Sequence, residues 1–232
     1  MFRKRTRSRK NGKASKKRSR VRLNPRSLVP KVLSPSGFPS NHIVKQRFCT
    51  FVSLTQGIGP LPAYTFRANS VYDPDFTSGG AFDAQPMGFD QMAAAYGKFV
   101  VVNSTITVDW ASTAAGQGNN YVVGVYLDEN STYPYTTWQG LREAKMGTSQ
   151  LLTHQRNSRK TIAKYNPKKL FGIKDVTDND DLVSLVTTNP TRGAFFTMWM
   201  QPLNGTTEEN IQCMVTIDYD VMYMSPKQFE RS

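Results

Sequence analysis

The residues of this 232-residue chain best placed to do chemistry are cations, and their chemistry is charge neutralisation, not bond making. Residues 1–31 hold fourteen Lys and Arg and no Asp or Glu: Arg3, Lys4, Arg5, Arg7, Arg9, Lys10, Lys13, Lys16, Lys17, Arg18, Arg20 and Arg22, followed by Arg26 and Lys31. With 30 basic and 17 acidic residues in all, the other 201 residues are left with 16 basic and 17 acidic, a net of −1. A near-neutral body does not need such a segment for its own fold. The segment needs a partner of high negative charge density, and a phosphate chain fits best because each contact releases condensed counterions. Ser, Thr, Gly and Asn separate the cations, and Phe2 is the only aromatic among them. Such a segment meets phosphates but lacks the geometry to read base edges. Arg3–Arg5 and Lys16–Arg18 also form two basic clusters with a gap, the pattern of a nuclear import signal, which draws on the same residues.

A second basic region runs from Arg156 to Lys174: Arg156, Arg159, Lys160, Lys164, Lys168, Lys169 and Lys174, with no acid among them. Three readings are open. It lines an interior and touches nucleic acid, it faces outward and binds a sulfated cell-surface glycan, or it guards loops and an edge strand against sheet-to-sheet pairing. Asp175, Asp178, Asp180 and Asp181 follow it directly. They lack the Gly and distal Glu of a calcium loop, so pairing with the neighbouring lysines is favoured over a cation site. Tyr133, Tyr135 and Trp138 cluster in one loop, where stacking on bases, packing within one subunit and packing against a neighbour compete. Enrichment of Tyr and Trp at contacts favours the neighbour.

Catalysis finds no foothold. His42 and His154 have no partner at metal or triad spacing, and there is no GxxxxGK phosphate loop, His-x-His pair or Cys-x-x-Cys pair. No catalytic residue, metal site or cofactor is therefore expected. Cys49 and Cys213 make no disulfide framework. No apolar run approaches a membrane span, and the basic start has no apolar core of a secretory signal. The expectation is work in a reducing compartment, with the sequons at Asn103, Asn130 and Asn204 unused.

The elements that must position these groups are mostly strands. Residues 1–40 carry Pro25, Pro30, Pro35 and Pro39 and no apolar period, which predicts a disordered arm ahead of a body at 41–232. From about residue 43 the period becomes two. One face reads Val44, Gln46, Phe48, Thr50, Val52, Leu54; a second, Val100, Val102, Ser104, Ile106, Val108, Trp110; a third, Tyr121, Val123, Val125, Leu127. The strongest is Ile211, Cys213, Val215, Ile217, Tyr219, Val221, Tyr223. Strict alternation means a strand with one buried face, while AFFTMWM at Ala194–Met200 predicts a strand covered on both. Parity sets Cys213 on its apolar face and Cys49 opposite Phe48 and Val52, so both thiols should be free. Helical spacing is confined to Phe89–Tyr96, with Asp90 as a possible cap and Gly97 as a stop, and to Trp138–Lys145, capped by Thr136 or Thr137. Polar loops are expected at 72–87, 128–137, 154–160, 174–181 and 203–210. Many strands, long loops and little helix indicate an antiparallel sandwich or jelly roll.

Within this pattern, YTFRANSVYDPDFTSGGAFDAQPMGFDQMAAAYGKFVVVNSTITV at Tyr64–Val108 resembles the capsid proteins of circular single-stranded DNA viruses that encode a Rep initiator, the circovirus-like group. The resemblance is carried by FRANSVYDPD (Phe66–Asp75), QPMGFDQM (Gln85–Met92), the Tyr-bearing helix end running into KFVVVNSTITV (Lys98–Val108), the Arg-rich start and NPKKLFG (Asn166–Gly172). It implies an all-β, eight-stranded antiparallel jelly roll, with strands at 43–55, 62–70, 98–111, 119–128, within 148–165, near 181–187, 193–202 and 211–224. It implies a small icosahedral shell, commonly of 60 copies (T=1), packaging single-stranded DNA, and residence in the virion and in the host nucleus during assembly. The expected partners are other copies of the chain, single-stranded nucleic acid, nuclear import receptors and a cell-surface glycan, with no membrane insertion. The rival readings are a non-assembling single-stranded nucleic-acid-binding protein with a nuclear-targeting tail, and a jelly-roll enzyme or lectin.

Overall fold

The strands of the body follow the period-two segments. The structure is a computed structural model and describes residues 37–55, 61–78, 85–112, 120–132, 137–143, 146–153, 155–203 and 210–228. The chain divides into units of residues 1–31 and 32–232, and every described residue lies in the second. Most of the arm expected at 1–40 lies outside the described residues.

In chain order the elements are β1 (Asn41–Thr55), β2 (Ala63–Arg67), α1 (Phe89–Ala95), β3 (Tyr96–Ser112), β4 (Tyr121–Asp128), α2 (Trp138–Glu143), β5 (Gly147–Leu152), β6 (Ser158–Tyr165), α3 (Pro167–Leu170), β7 (Ser184–Leu185), β8 (Phe195–Pro202) and β9 (Asn210–Pro226). They form two antiparallel sheets. One has the order β1-β9-β3-β6, with the short β7 also paired to β3; the other has β2-β8-β4-β5. The connections β1–β2, β3–β4, β5–β6 and β8–β9 each cross from one sheet to the other, which makes the sandwich a jelly roll. Eight strands fill the two sheets, together with the two-residue β7 inside the stretch expected at 181–187.

The core lies between the sheets. All seven inward residues of β9, from Ile211 to Tyr223, are at most 1% exposed. Burying such side chains stabilises by about 1.5–3 kcal/mol each relative to leaving them in water. They meet Phe48 and Val52 of β1, Ile106, Val108 and Trp110 of β3, and Val123, Val125, Phe196 and Met198 from the facing sheet. The second sheet is also covered behind by α2, where Leu141 and Trp138 pack on Val122, Tyr126 and Trp199. That double cover explains the unbroken apolar run of β8. Gly124 lies opposite Trp199, and a Cβ there would come within 2.6 Å of the indole, so this position accepts no side chain without displacing it.

Four sequence expectations are corrected. Two strands, β5 and β6, form where one was expected within 148–165, and β6 pairs along β3; the strand expected near 181–187 is only the two-residue β7, which touches Lys98 and Phe99 of β3. A bulge between Val101 and Asn103 shifts the parity of β3. Val100 therefore leaves the main core for a smaller cluster with Val176 and Leu182 on the sheet's outer side. Gly97 does not stop α1, because the chain is already extended at Tyr96 and enters β3 directly. Gly88, at φ 86°, is the N-cap in place of Asp90, which sits in the first turn.

Candidate nucleic-acid interface

The first basic segment, from Arg3 through Arg22, lies outside the described residues. The second divides in two. Alternation along β6 turns Thr161, Ala163 and Tyr165 inward and leaves Lys160, Ile162 and Lys164 on the outer face at the sheet edge. Arg159 donates from Nε to the Leu151 carbonyl at 3.0 Å, tying the edge of one sheet to the edge of the other. Thr148 Oγ1 repeats the tie by donating to the Ile162 carbonyl at 2.9 Å. Lys160 faces Asp109 across the ladder at 3.3 Å. These two cations are occupied within the fold. Lys164 makes no ion pair among the described residues, and Arg156, Lys168, Lys169 and Lys174 are exposed. The Asn166 carboxamide sets the position of Lys168 and Lys169: its oxygen caps α3 by accepting from the Lys169 amide at 3.2 Å, and its nitrogen donates to Asn103 of β3 at 3.1 Å.

Beside this ridge an open groove of about 770 Å³ crosses the outer face of the first sheet. Its lining includes the short Asn103, Thr105 and Thr107 of β3, Lys164 and Ile162 of β6, and Lys45, Arg47, Asp218 and Asp220 of β1 and β9. Lys45 bonds Asp220 at 2.6 Å. Arg47 donates to Asp218 from Nε at 2.6 Å and from Nη2 at 3.2 Å. These hydrogen bonds raise the pKa of both cations. Sequence reading missed Lys45 and Arg47 as members of this surface. Their parity showed that they point outward, but the register that sets them opposite Asp220 and Asp218 is not readable from either strand alone.

The remaining expected groups serve the fold. Trp138 is half-buried against Leu141 and Trp199 and receives Arg142 over its ring at 5.9 Å, so it anchors its own loop; Tyr133 and Tyr135 lie outside the described residues. None of Asp175, Asp178, Asp180 and Asp181 makes an ion pair among the described residues, contrary to the lysine pairing expected. Asp175 instead accepts from the amide and hydroxyl of Thr177 at 3.0 and 2.9 Å, which lowers its pKa, with Lys168 a lesser influence. Among the described residues no three His, Cys, Asp or Glu could hold a metal ion, and no helix is long and apolar enough to cross a membrane. His42 stacks on Tyr96 at 6.4 Å, and His154 lies outside the described residues. Both thiols are free, Cys49 exposed and Cys213 buried, as parity required.

The FRANSVYDPD stretch locks the long connection after β2. The Arg67 guanidinium pairs with the Asp73 carboxylate and lies 4.9 Å over the Phe76 ring. Asp75 is buried and accepts from the Tyr64 hydroxyl at 2.7 Å and the Ser78 amide at 3.1 Å. Asn69 bridges the Arg192 carbonyl and the Ala194 amide, so it stitches this connection to the start of β8.

No known protein family and no curated protein matches the sequence. Among solved structures, the chain is similar to Desmodium yellow mottle tymovirus (14% identity, 100% of both chains, TM-score 0.42). It is similar to the giant freshwater prawn Macrobrachium rosenbergii nodavirus semi-empty VLP (11% identity, 100% of this chain and 97% of that one, TM-score 0.46). The decameric BFDV capsid protein is a third (8% identity, 79% of this chain and 98% of that one, TM-score 0.45). The jelly-roll assignment rests on the strand order and register, independently of these likenesses.

Proposed function

We propose that the chain is the coat protein of a small circovirus-like virus: copies of the body associate into a closed icosahedral shell, and residues 1–31 neutralise an enclosed single-stranded DNA genome. The observation that carries this reading is the partition of charge. A jelly-roll body with a net of −1 is joined to a segment of fourteen cations. In a shell of 60 copies those segments supply about 840 positive charges, which matches a genome on the order of a thousand nucleotides with residual counterions. The ridge of Lys164, Lys168 and Lys169 adds exposed cations on the body, for the same polymer or for an outer glycan. The coat protein belongs in the virion, and the two basic clusters fit an import receptor and assembly in the host nucleus. The role is structural; replication chemistry sits on another protein.

Titration of full-length protein and a 32–232 truncation with two unrelated single-stranded oligonucleotides over a salt series tests the packaging role. At about −0.7 per neutralised phosphate, full engagement of the fourteen cations gives a slope of log K on log salt near −10, equal for both oligonucleotides. The truncated protein should bind with a flat slope. Equal slopes for the two proteins would move the site to the body and leave residues 1–31 as a targeting signal.

A further inference from the structure

Resting on the packaging reading, we infer that the groove across the outer face of the first sheet selects among the bases of the enclosed strand, favouring those that carry an amino group. The groove spans four strands, β1, β9, β3 and β6. Its floor is the column of short polar side chains on β3, from Asn103 through Thr105 to Thr107. Longer side chains stand on either side. The register sets Arg47, Asp218, Thr105 and Lys164 in one row across the sheet. β1 and β6 are three strand spacings apart, about 14 Å. That width, with a volume of about 770 Å³, gives room for a nucleotide or two of an unpaired strand.

A surface meant for phosphate alone gains nothing from carboxylates, yet Asp218 and Asp220 line this groove and stay 51% and 33% exposed beside their cations. Arg47 reaches both oxygens of Asp218, whereas Lys45 takes only Oδ1 of Asp220. Oδ2 of Asp220 has no side-chain partner among the described residues. The two ion pairs cancel the formal charge of this wall, so it does not repel a strand as bare carboxylates do. Asp220 Oδ2 is nevertheless free to accept a hydrogen bond. The exocyclic amino groups of cytosine, adenine and guanine donate to such an oxygen; thymine and uracil present a carbonyl at position 4, which a carboxylate rejects. The hydroxyls of Thr105 and Thr107 donate or accept as the base requires, and the half-exposed Ile162 gives the ring an apolar contact. The phosphate falls to the opposite rim, at Lys164. Lys45 lies only fourteen residues beyond Lys31, so a strand held by residues 1–31 is tethered within reach of the groove. The basic segment then supplies affinity and the groove supplies the choice of base.

The test compares oligo(dC) with oligo(dU) of equal length, because the two bases differ on their pairing edge alone. Binding to the full chain is read by fluorescence anisotropy at about pH 8, where the carboxylates are ionised. The salt is about 1 M, where the screening length of about 3 Å suppresses the basic segment. Wild type should bind oligo(dC) roughly five- to tenfold more tightly than oligo(dU), the low end for one good base contact. Asp220→Asn should bring that ratio to about one. Asp109→Asn makes the same change of charge on the same face but outside the groove lining, and should keep the wild-type ratio. Circular dichroism checks that both variants are folded. Equal affinity of wild type for the two oligonucleotides overturns the inference, and so does an unchanged ratio in Asp220→Asn. Equal loss of the ratio in both variants also overturns it, because net charge and not contact at Asp220 then sets the preference. Wild type that binds both oligonucleotides at low salt and shows no preference at high salt loses only the groove. Wild type that binds neither at low salt contradicts the packaging reading itself.

Discussion

Replacing Trp110 probes the centre of the body. Trp110 is on β3, between β9 and β6, with no exposed surface, and its indole nitrogen donates to Thr161 Oγ1 at 2.8 Å. Trp110→Ala removes the largest side chain of that layer and strands the Thr161 hydroxyl. The cavity alone costs about 3–5 kcal/mol, which for a body of this size lowers Tm by about 6–20 °C. Thr161→Val keeps the volume and orphans the indole N–H, at about 1–3 kcal/mol. Trp110→Phe with Thr161→Val removes both polar partners, so the double variant should lose about 1 kcal/mol less than the sum of the single losses. The assay is urea unfolding followed by far-ultraviolet circular dichroism, at a salt concentration that keeps subunits dissociated, because assembly adds its own stabilisation. Trp110→Ala within about 1 kcal/mol of wild type, or Trp110→Phe and Thr161→Val simply additive, would refute the central placement of β3.

Three further outcomes follow from the structure. Ile106→Asp, which buries an unpaired carboxylate opposite Ile217, should yield no folded body, and a soluble protein with native circular dichroism would contradict the register of β3 on β9. Asp75→Ala should cost about 1–3 kcal/mol by orphaning the Tyr64 hydroxyl, read from the urea midpoint; Tyr64→Phe in the same background should recover part of it, and no recovery would contradict the pairing. Alkaline pH should also weaken the fold. Burial raises the pKa of Tyr64, Tyr165, Tyr219 and Tyr223 above the ordinary 10.0, so the stability they confer is complete below that pH and is lost as pH rises beyond it. A urea midpoint unchanged between about pH 9 and 11 would contradict their burial.

The legibility of the sequence varied with how local the deciding physics was. Period-two alternation placed β1, β4 and β9 within three residues, because burial of one face of a strand leaves its mark on that strand alone. The same logic separated Cys49 from Cys213. It failed at Val100, where a bulge shifts the parity by one, and a bulge has no signature in an all-apolar stretch such as Phe99–Val102. It did not separate β6 from β5 within 148–165, because the outward Lys160, Ile162 and Lys164 of β6 blur its polar face. The packing of Trp138 within its own chain was not legible because its partners Leu141 and Trp199 lie 3 and 61 residues away. The basic segment needed no fold to be recognised. The Lys45–Asp220 and Arg47–Asp218 rows needed the register of two strands that begin 169 residues apart.

Electron microscopy of the full-length protein mixed with single-stranded DNA tests the shell-and-genome account most directly. A body of about 200 residues is about 42 Å across, so 60 of them tile a sphere roughly 180 Å in mid-shell diameter and about 220 Å outside. The account predicts closed particles of that one size, with the DNA inside resistant to nuclease and the protein-to-nucleotide ratio fixed by the basic segments. Monomers strung along digestible DNA, at every salt concentration and pH, would contradict it.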